Sequence, residues 1–103
     1  MPTAEADVPT ERAARYLRQL CSHASRMRHG HGRGHAGPRA EATSDTTGRI
    51  TRGTAICELT ATPANLILRA SADDEEQLRG LQEAVTRTVE RIGRRDGLIV
   101  VWR

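Results

Sequence analysis

The sequence predicts an α+β domain, a two-layer sandwich in which a four-stranded mixed sheet carries two helices on one face. Three observations lead to this class. Apolar residues recur at helical spacing near the start of the chain, alternate with polar residues in the middle, and return to helical spacing before a short apolar run at the end. The predicted element order is therefore α-β-β-β-α-β. With 103 residues the chain is expected to form one domain.

The first helix is predicted over residues 10–28. Thr10 is of the residue type that caps helix N-termini, and Gly30 ends the helical pattern. Residues 1–9 are interpreted as a polar N-terminal segment, so the folded domain is expected to cover residues 10–103. The apolar stripe of the helix comprises Ala13, Tyr16, Leu17, Leu20, Cys21, Ala24 and Met27.

Period-two alternation next predicts three strands. A short strand is expected around residues 49–52, and two longer ones, 55–61 and 66–71, are joined by turn-forming residues at 62–65. The residues expected to face the helices are Ala55, Cys57, Leu59, Leu66 and Leu68, together with Val100 near the end of the chain.

The second helix is predicted to begin at a capping box, with Asp73 as the N-cap and Glu76 three residues later, and to end at Gly93. Its apolar stripe comprises Leu78, Leu81, Val85, Val89 and Ile92. An apolar strand over residues 98–102 closes the chain. A helical crossover after three antiparallel strands is expected to place this last strand parallel to the third and beside the first.

Residues 29–47 follow neither period and are expected to form a flexible loop rich in His, Gly and Arg. Three of its residues, His29, His31 and His35, have the imidazole nitrogens that zinc, nickel and iron accept, so a metal site is one interpretation. Adventitious metal binding and a plain flexible loop are the alternatives, because ordering a segment costs about 1–2 kcal/mol for each residue fixed. Arginines in the same stretch could hold phosphates. However, no aromatic residue is interleaved with them for base stacking, which disfavours nucleic-acid binding.

Composition limits the chemistry that the chain can perform. All sixteen basic side chains are Arg, and the formal net charge is +3. Because there is no Lys, no side chain can form a Schiff base. The two cysteines fit neither a zinc-binding spacing nor a disulfide framework, and we expect buried free thiols. The N-terminal stretch has no apolar run, so a cytoplasmic protein without a membrane segment is expected.

Several short stretches form a set that is spread over most of the chain: RYLRQLCSH at residues 15–23, GRI at 48–50, CEL at 57–59, ADD at 72–74 and VVW at 100–102. Together they resemble the bacterial domain of unknown function 2218 family. The resemblance implies a compact α+β domain without an established activity. It also implies an association with siderophore-interacting flavoproteins, to which such domains are joined or near which they are encoded. The residues that it marks as a candidate family site are Tyr16, Cys21 and His23.

Members of this family are sometimes labelled as dihydroxyheptenedioate aldolases, and the sequence disfavours that activity. The absence of Lys excludes Schiff-base aldol chemistry, and a barrel that could host the metal-dependent version needs roughly 250 residues. Cys21 and His23 lie about 200° apart around a helix, so they cannot ligate one metal ion together. We therefore expect a non-catalytic domain without a resident cofactor.

The function expected from the sequence is that of a small binding or accessory domain, linked through the resemblance to iron or siderophore metabolism. A metal-binding protein that uses the loop histidines is the alternative, and a nucleic-acid or phosphate binder is less favoured. Strand alternation directs four apolar side chains away from the helices, and such an exposed patch typically marks an interface. We expect a homodimer through this face, or a protein partner such as a siderophore-interacting flavoprotein, with Glu58 and Arg69 at the rim or paired across it. The four apolar residues are Ile56, Ile67, Ile99 and Val101.

Overall fold

The computed structural model describes the backbone of residues 2–29 and 39–103, and the side chains of residues 2–22 and 40–103. The α+β class predicted from the sequence is confirmed. In chain order the elements are β1 (Thr3–Pro9), α1 (Ala13–His29), β2 (Arg39–Ala42), β3 (Thr47–Arg52), β4 (Ala55–Ala61), β5 (Asn65–Ser71), α2 (Glu75–Ile92) and a short 3-10 helix (Arg94–Asp96).

The sheet has five strands in the order β1-β5-β4-β3-β2, and every pair among the described strands is antiparallel. The prediction of a four-stranded mixed sheet in the order α-β-β-β-α-β is therefore wrong in strand number, direction and order. The three strands predicted from alternation are present as β3, β4 and β5. The two additional strands, β1 and β2, occupy the two ends of the sheet.

Strand β1 lies within the stretch that was interpreted as a polar N-terminal segment. It pairs along its whole length with β5, from Thr3 opposite Ser71 to Pro9 opposite Asn65. Its inward side chains include Ala6 and Val8, which are fully buried. Apolar and polar residues do alternate in this stretch, but alanine is only weakly apolar, so the sequence pattern does not identify a strand with a buried face.

The expectation that residues 29–47 lack regular structure is also wrong in part. Residues 39–42 form β2, which pairs with β3, and Thr47 already belongs to β3. Helix α1 extends through His29. The rest of the expected loop includes residues 30–38, which lie outside the described residues.

The end of the chain, which we call the C-terminal segment (Leu98–Arg103), does not form the predicted strand beside the first predicted strand, which is β3. It runs along β1 at the opposite side of the sheet, with one antiparallel bridge between Ala6 and Trp102. The Arg103 N–H donates to the Glu5 carbonyl at 2.8 Å. Because β1 already occupies the place beside β5, the segment adds to the outer edge of β1.

Both helices pack against one face of the sheet, as predicted. Leu17 of α1 approaches Gly48 of β3 closely, and Trp102 Nε1 donates to Thr86 Oγ1 of α2 at 2.7 Å. The core is formed by the inward side chains of both helices and of the strands. Its largest fully buried side chains include Leu20, Leu81, Val85 and Val89 from the helices and Leu59, Leu66 and Leu68 from the strands. Neither described helix has an apolar stretch long enough to cross a membrane.

The ends of α2 lie close to the predicted positions. The N-cap is Asp74 and not Asp73, and its carboxylate accepts from the Gln77 N–H at 2.7 Å. Gly93 is the C-cap, as predicted, and its N–H donates to the Val89 carbonyl at 2.9 Å.

Candidate protein interaction surface

The face of the sheet that points away from the helices, which we call the outer face, is not covered by any described element. Its positions alternate with the buried ones along each strand, so β4 presents Ile56, Glu58 and Thr60 where its neighbours in sequence are buried. An open depression of about 530 Å³ lies on this face. The residues that line it include Thr3, Glu5, Arg49, Ile56, Glu58, Arg69, Ser71 and Arg103.

Six charged side chains cross the outer face in one line, perpendicular to the strands. The strand registers place Glu5 opposite Arg69, Arg69 opposite Glu58, Glu58 opposite Arg49, and Arg49 opposite Glu41. The bridge between Ala6 and Trp102 continues this line to Arg103, next to Glu5. The members of this charged row, in order across the sheet, are Arg103, Glu5, Arg69, Glu58, Arg49 and Glu41, so the sign of the charge alternates at every step.

Two of the neighbouring pairs in the charged row form salt bridges. Arg69 Nε lies 3.2 Å from Glu5 Oε2, and Arg49 Nη2 lies 3.2 Å from Glu58 Oε1. Between 47% and 71% of each of these four side chains is exposed. Exposed pairs of this kind contribute at most about 1 kcal/mol each to folding stability, because water and salt screen them. The arrangement therefore matters more for the surface that it forms than for the stability of the fold.

The apolar side chains expected on this face do not form one continuous patch. Ile56 and Ile67 are half-buried. Each precedes the charged residue of its own strand by two positions, and because β4 and β5 are antiparallel, the two isoleucines lie on opposite sides of the charged row. Ile99 and Val101 are each 64% exposed and belong to the C-terminal segment. Glu58 and Arg69 lie in the middle of the outer face and not at its rim.

Tyr16, a residue of the candidate family site, is buried on α1. Its hydroxyl donates a hydrogen bond to Asp96 of the 3-10 helix, and Arg12 Nη1 lies 3.5 Å from the same carboxylate. This hydrogen bond, followed by burial, raises the pKa of the Tyr16 hydroxyl above its usual value of 10.0. The hydroxyl is therefore protonated at neutral pH and joins the start of α1 to the turn before the C-terminal segment.

The second residue of the candidate family site, Cys21, is also buried, and its sulfur lies against Gly48 of β3. Burial raises the pKa of the Cys21 thiol. Cys57 on β4 is fully buried, and burial raises its pKa from 9.0 to about 12. Both cysteines are free, as expected from the sequence, and neither provides a thiolate at neutral pH.

The histidines can be placed only in part. His23 lies on α1 and His29 is the last residue of that helix, and the structure does not describe the side chain of either one. His31 and His35 lie outside the described residues. In the part of the chain that the structure describes, no three His, Cys, Asp or Glu residues are grouped so that they could hold a metal ion.

A second depression, of about 500 Å³, lies between the β3–β4 turn and α2. The Arg52 guanidinium lies against Gly80, where a side chain on the helix would occupy the same space. The depression contains side chains of both signs, because Arg79, Glu76 and Glu83 line it together with Arg52. This mixture gives no preference for an anion or a cation.

Two features of the site cannot be predicted from the sequence alone. The charged row is formed by residues from five strands and the C-terminal segment, and only the strand order and register align them. Asp96, which binds Tyr16, is 80 residues away from it in the chain. One available signal is the alternation of Glu5 and Asp7 with alanine and valine, which marks β1 as a strand with an acidic face.

Comparison with known proteins gives a family match and a structural neighbour. The model of the family described as "Uncharacterized protein conserved in bacteria (DUF2218)" matches residues 5–103. The structure is similar to the NMR structure of PA4090 from Pseudomonas aeruginosa, with a TM-score of 0.72 and 29% sequence identity. The match covers 100% of this chain and 96% of that one. No curated protein matches the chain in sequence.

Proposed function

The chain belongs to this bacterial DUF2218 family, and we propose that it is a non-catalytic domain that binds another protein through the outer face of its sheet. The observation that carries the proposal is the charged row, which crosses a face that no described element covers. Charges that are arranged in a fixed order specify the orientation and identity of a partner more than they add affinity.

The state of the potential nucleophiles supports a binding role. Both thiols are buried, and burial raises the pKa of each one. The Tyr16 hydroxyl is engaged with Asp96. These groups have structural contacts and hold their protons at neutral pH, so none of them is poised to attack a substrate.

The apolar residues of the outer face support a protein as the partner. Ile56 and Ile67 flank the charged row, and each is only partly covered by its neighbours. Non-obligate protein interfaces are only about as apolar as the rest of a protein surface, so a face that carries both partly exposed apolar and charged side chains is compatible with one. An association with a siderophore-interacting flavoprotein, which the family resemblance implied, remains a proposal and supplies one candidate partner.

Amide chemical-shift mapping by NMR tests this function. The ¹⁵N-labelled chain is studied in a dilution series, and separately with a purified siderophore-interacting flavoprotein from the same genome. We expect one of these titrations to shift the amide signals of β4 and β5 and to leave those on the exposed side of α2 unchanged. Shifts confined to the helices, or none in either titration, would contradict the proposal.

A further inference from the structure

We propose that the partner of the outer face is a second copy of this chain, held by pairing of its charged row with the same row of the other copy. This inference rests on the proposed function and names the partner of that surface. The chemistry that recognises the second copy is the alternating order of guanidinium and carboxylate groups across the sheet.

The charged row has six members, and its two halves carry opposite signs at matching positions. Starting from the C-terminal segment, the order is Arg, Glu, Arg, Glu, Arg, Glu. The centre of the row lies between β5 and β4, at Arg69 and Glu58. Reversing the order about this centre exchanges every positive position with a negative one.

A two-fold rotation performs this reversal when its axis lies between the two outer faces, runs parallel to the strands and passes between β5 and β4. The rotation leaves every residue at the same position along the strand direction, and it exchanges the β1 edge of the sheet with the β2 edge. Arg69 then faces Glu58 of the second copy, Glu5 faces Arg49, and Arg103 faces Glu41. Each of these three contacts occurs twice, because a two-fold interface uses the same surface on both copies.

The same rotation places the strands of one copy over the strands of the other across the whole sheet. The C-terminal segment lies over β2 of the second copy, β1 over β3, and β5 over β4. Stacked sheets are about 10 Å apart, which long Arg and Glu side chains can bridge from both sides. Ile67 lies over Thr60 of the second copy, and Ile56 lies over Ser71, so that apolar side chains contribute on both sides of the charges.

The charges also exclude the neighbouring arrangements. If the axis moves by half a strand spacing, onto β5, Arg69 faces Arg69 of the second copy and Glu5 faces Glu58. Like charges that face each other across an interface are strongly unfavourable, so the row favours one register of the two sheets over registers shifted by half a strand spacing. Because ion pairs contribute little net affinity once they are removed from water, a weak dimer that dissociates at high salt is expected.

Sedimentation velocity of charge variants tests the pairing. Arg69→Glu places two carboxylates opposite each other and is expected to weaken self-association about tenfold or more. Arg79→Glu makes the same change on α2, away from the outer face, and is expected to leave self-association unchanged. Both side chains are exposed, so neither change threatens the fold.

A row-inversion variant makes the test specific. It reverses the charge at all six positions, and Asp7→Asn is added so that the residue at position 103 meets no like charge from its present neighbour Asp7. This variant preserves the opposite signs within one copy and between two copies, so it is expected to form its own dimer. Mixed with the wild type, it should form no mixed dimer, because every facing pair would then have the same sign.

Three results would overturn the inference. They are a wild type that is monomeric up to about 1 mM, equal effects of Arg69→Glu and Arg79→Glu, and free mixing of the inverted and wild-type chains. A monomeric wild type whose outer-face amides still respond to the flavoprotein would refute the second copy as partner and leave the proposed function standing.

Discussion

The hydroxyl of Tyr16 donates a hydrogen bond to Asp96, which lies 80 residues further along the chain. This contact joins the first turn of α1 to the 3-10 helix that follows α2. The C-terminal segment leaves that 3-10 helix and reaches β1, where Arg103 completes the charged row. Tyr16 is therefore a positioning residue for one end of the outer face.

The contact between Tyr16 and Asp96 is expected to stabilise the fold. Because the acceptor is charged but the hydrogen bond is only partly buried, Tyr16→Phe should lower the free energy of unfolding by about 1.5 kcal/mol, the lower end for a hydrogen bond to a charged group. Urea unfolding of Tyr16→Phe, Asp96→Asn and the double variant measures the coupling between the two side chains. Arg12→Ala, which removes only the exposed partner of Asp96, should cost less than about 1 kcal/mol. Strictly additive effects of the Tyr16 and Asp96 changes would show that the hydrogen bond contributes nothing.

Gly80 inside α2 and Gly93 at its C-cap should respond in opposite directions to substitution by alanine. Gly80 lies inside the helix, and the only described atoms in the way of a new Cβ belong to the Arg52 guanidinium, which can swing away. Gly80→Ala should therefore raise the free energy of unfolding by about 0.5–1 kcal/mol through helix propensity. At Gly93 a Cβ would lie 2.8 Å from Leu98 Cβ and even closer to the rest of that buried side chain. Gly93→Ala should destabilise the fold, and thermal unfolding of the two variants would contradict this account if their order were reversed.

Alkaline pH should weaken the fold through three groups. The pKa of Cys57 is raised to about 12 from 9.0 in the unfolded chain, that of Cys21 is raised above 9.0, and that of Tyr16 is raised above 10.0. Because the unfolded chain loses these protons at lower pH than the folded one, their contribution is fully present below about pH 9 and is lost as the pH rises toward 12. The slope contributed by each group is at most about 1.4 kcal/mol per pH unit. Cys57→Ala should unfold with a shallower dependence on pH above 9, and parallel curves for this variant and the wild type would contradict the assignment.

Metal binding by the loop histidines stays a prediction of the sequence. None of His29, His31 and His35 belongs to the predicted apolar stripes, so replacing all three by Ala should leave the melting temperature nearly unchanged in the presence of a chelator. Calorimetric titration with zinc distinguishes the alternatives. Stoichiometric binding that raises the melting temperature of the wild type and is lost in the triple variant would make the metal site the better explanation.

The elements that the sequence predicted well are those whose buried faces carry large side chains. Leucines, valine and isoleucine at helical spacing mark α2, and Leu59, Leu66 and Leu68 mark β4 and β5. Strands β1 and β2 were missed because their inward positions are mostly alanine, for example Ala4, Ala6 and Ala40, which gives little periodic signal.

The charged row depends on the order and register of the strands, which the pattern of residues along the chain does not specify. The alternation within β4 and β5 correctly predicted that Glu58 and Arg69 share a face. Their neighbours in the row could not be found, because that requires the place of β1 beside β5 and the path of the C-terminal segment along β1. Both depend on contacts between residues far apart in the chain.

A paramagnetic tag measures most directly whether the outer face meets a second copy. Ala64 is exposed at the turn between β4 and β5, at one end of the proposed axis, and the buried native thiols leave Ala64→Cys as the reactive site for a nitroxide. The tagged, unlabelled chain is mixed with ¹⁵N-labelled wild type, so that any broadened signal reports a contact between copies. We expect broadening at the β4–β5 turn and at the neighbouring ends of β4 and β5 in the untagged copy, and no broadening of the helices. Broadening of α1 or α2, or none at concentrations where the chain self-associates, would contradict the proposed dimer.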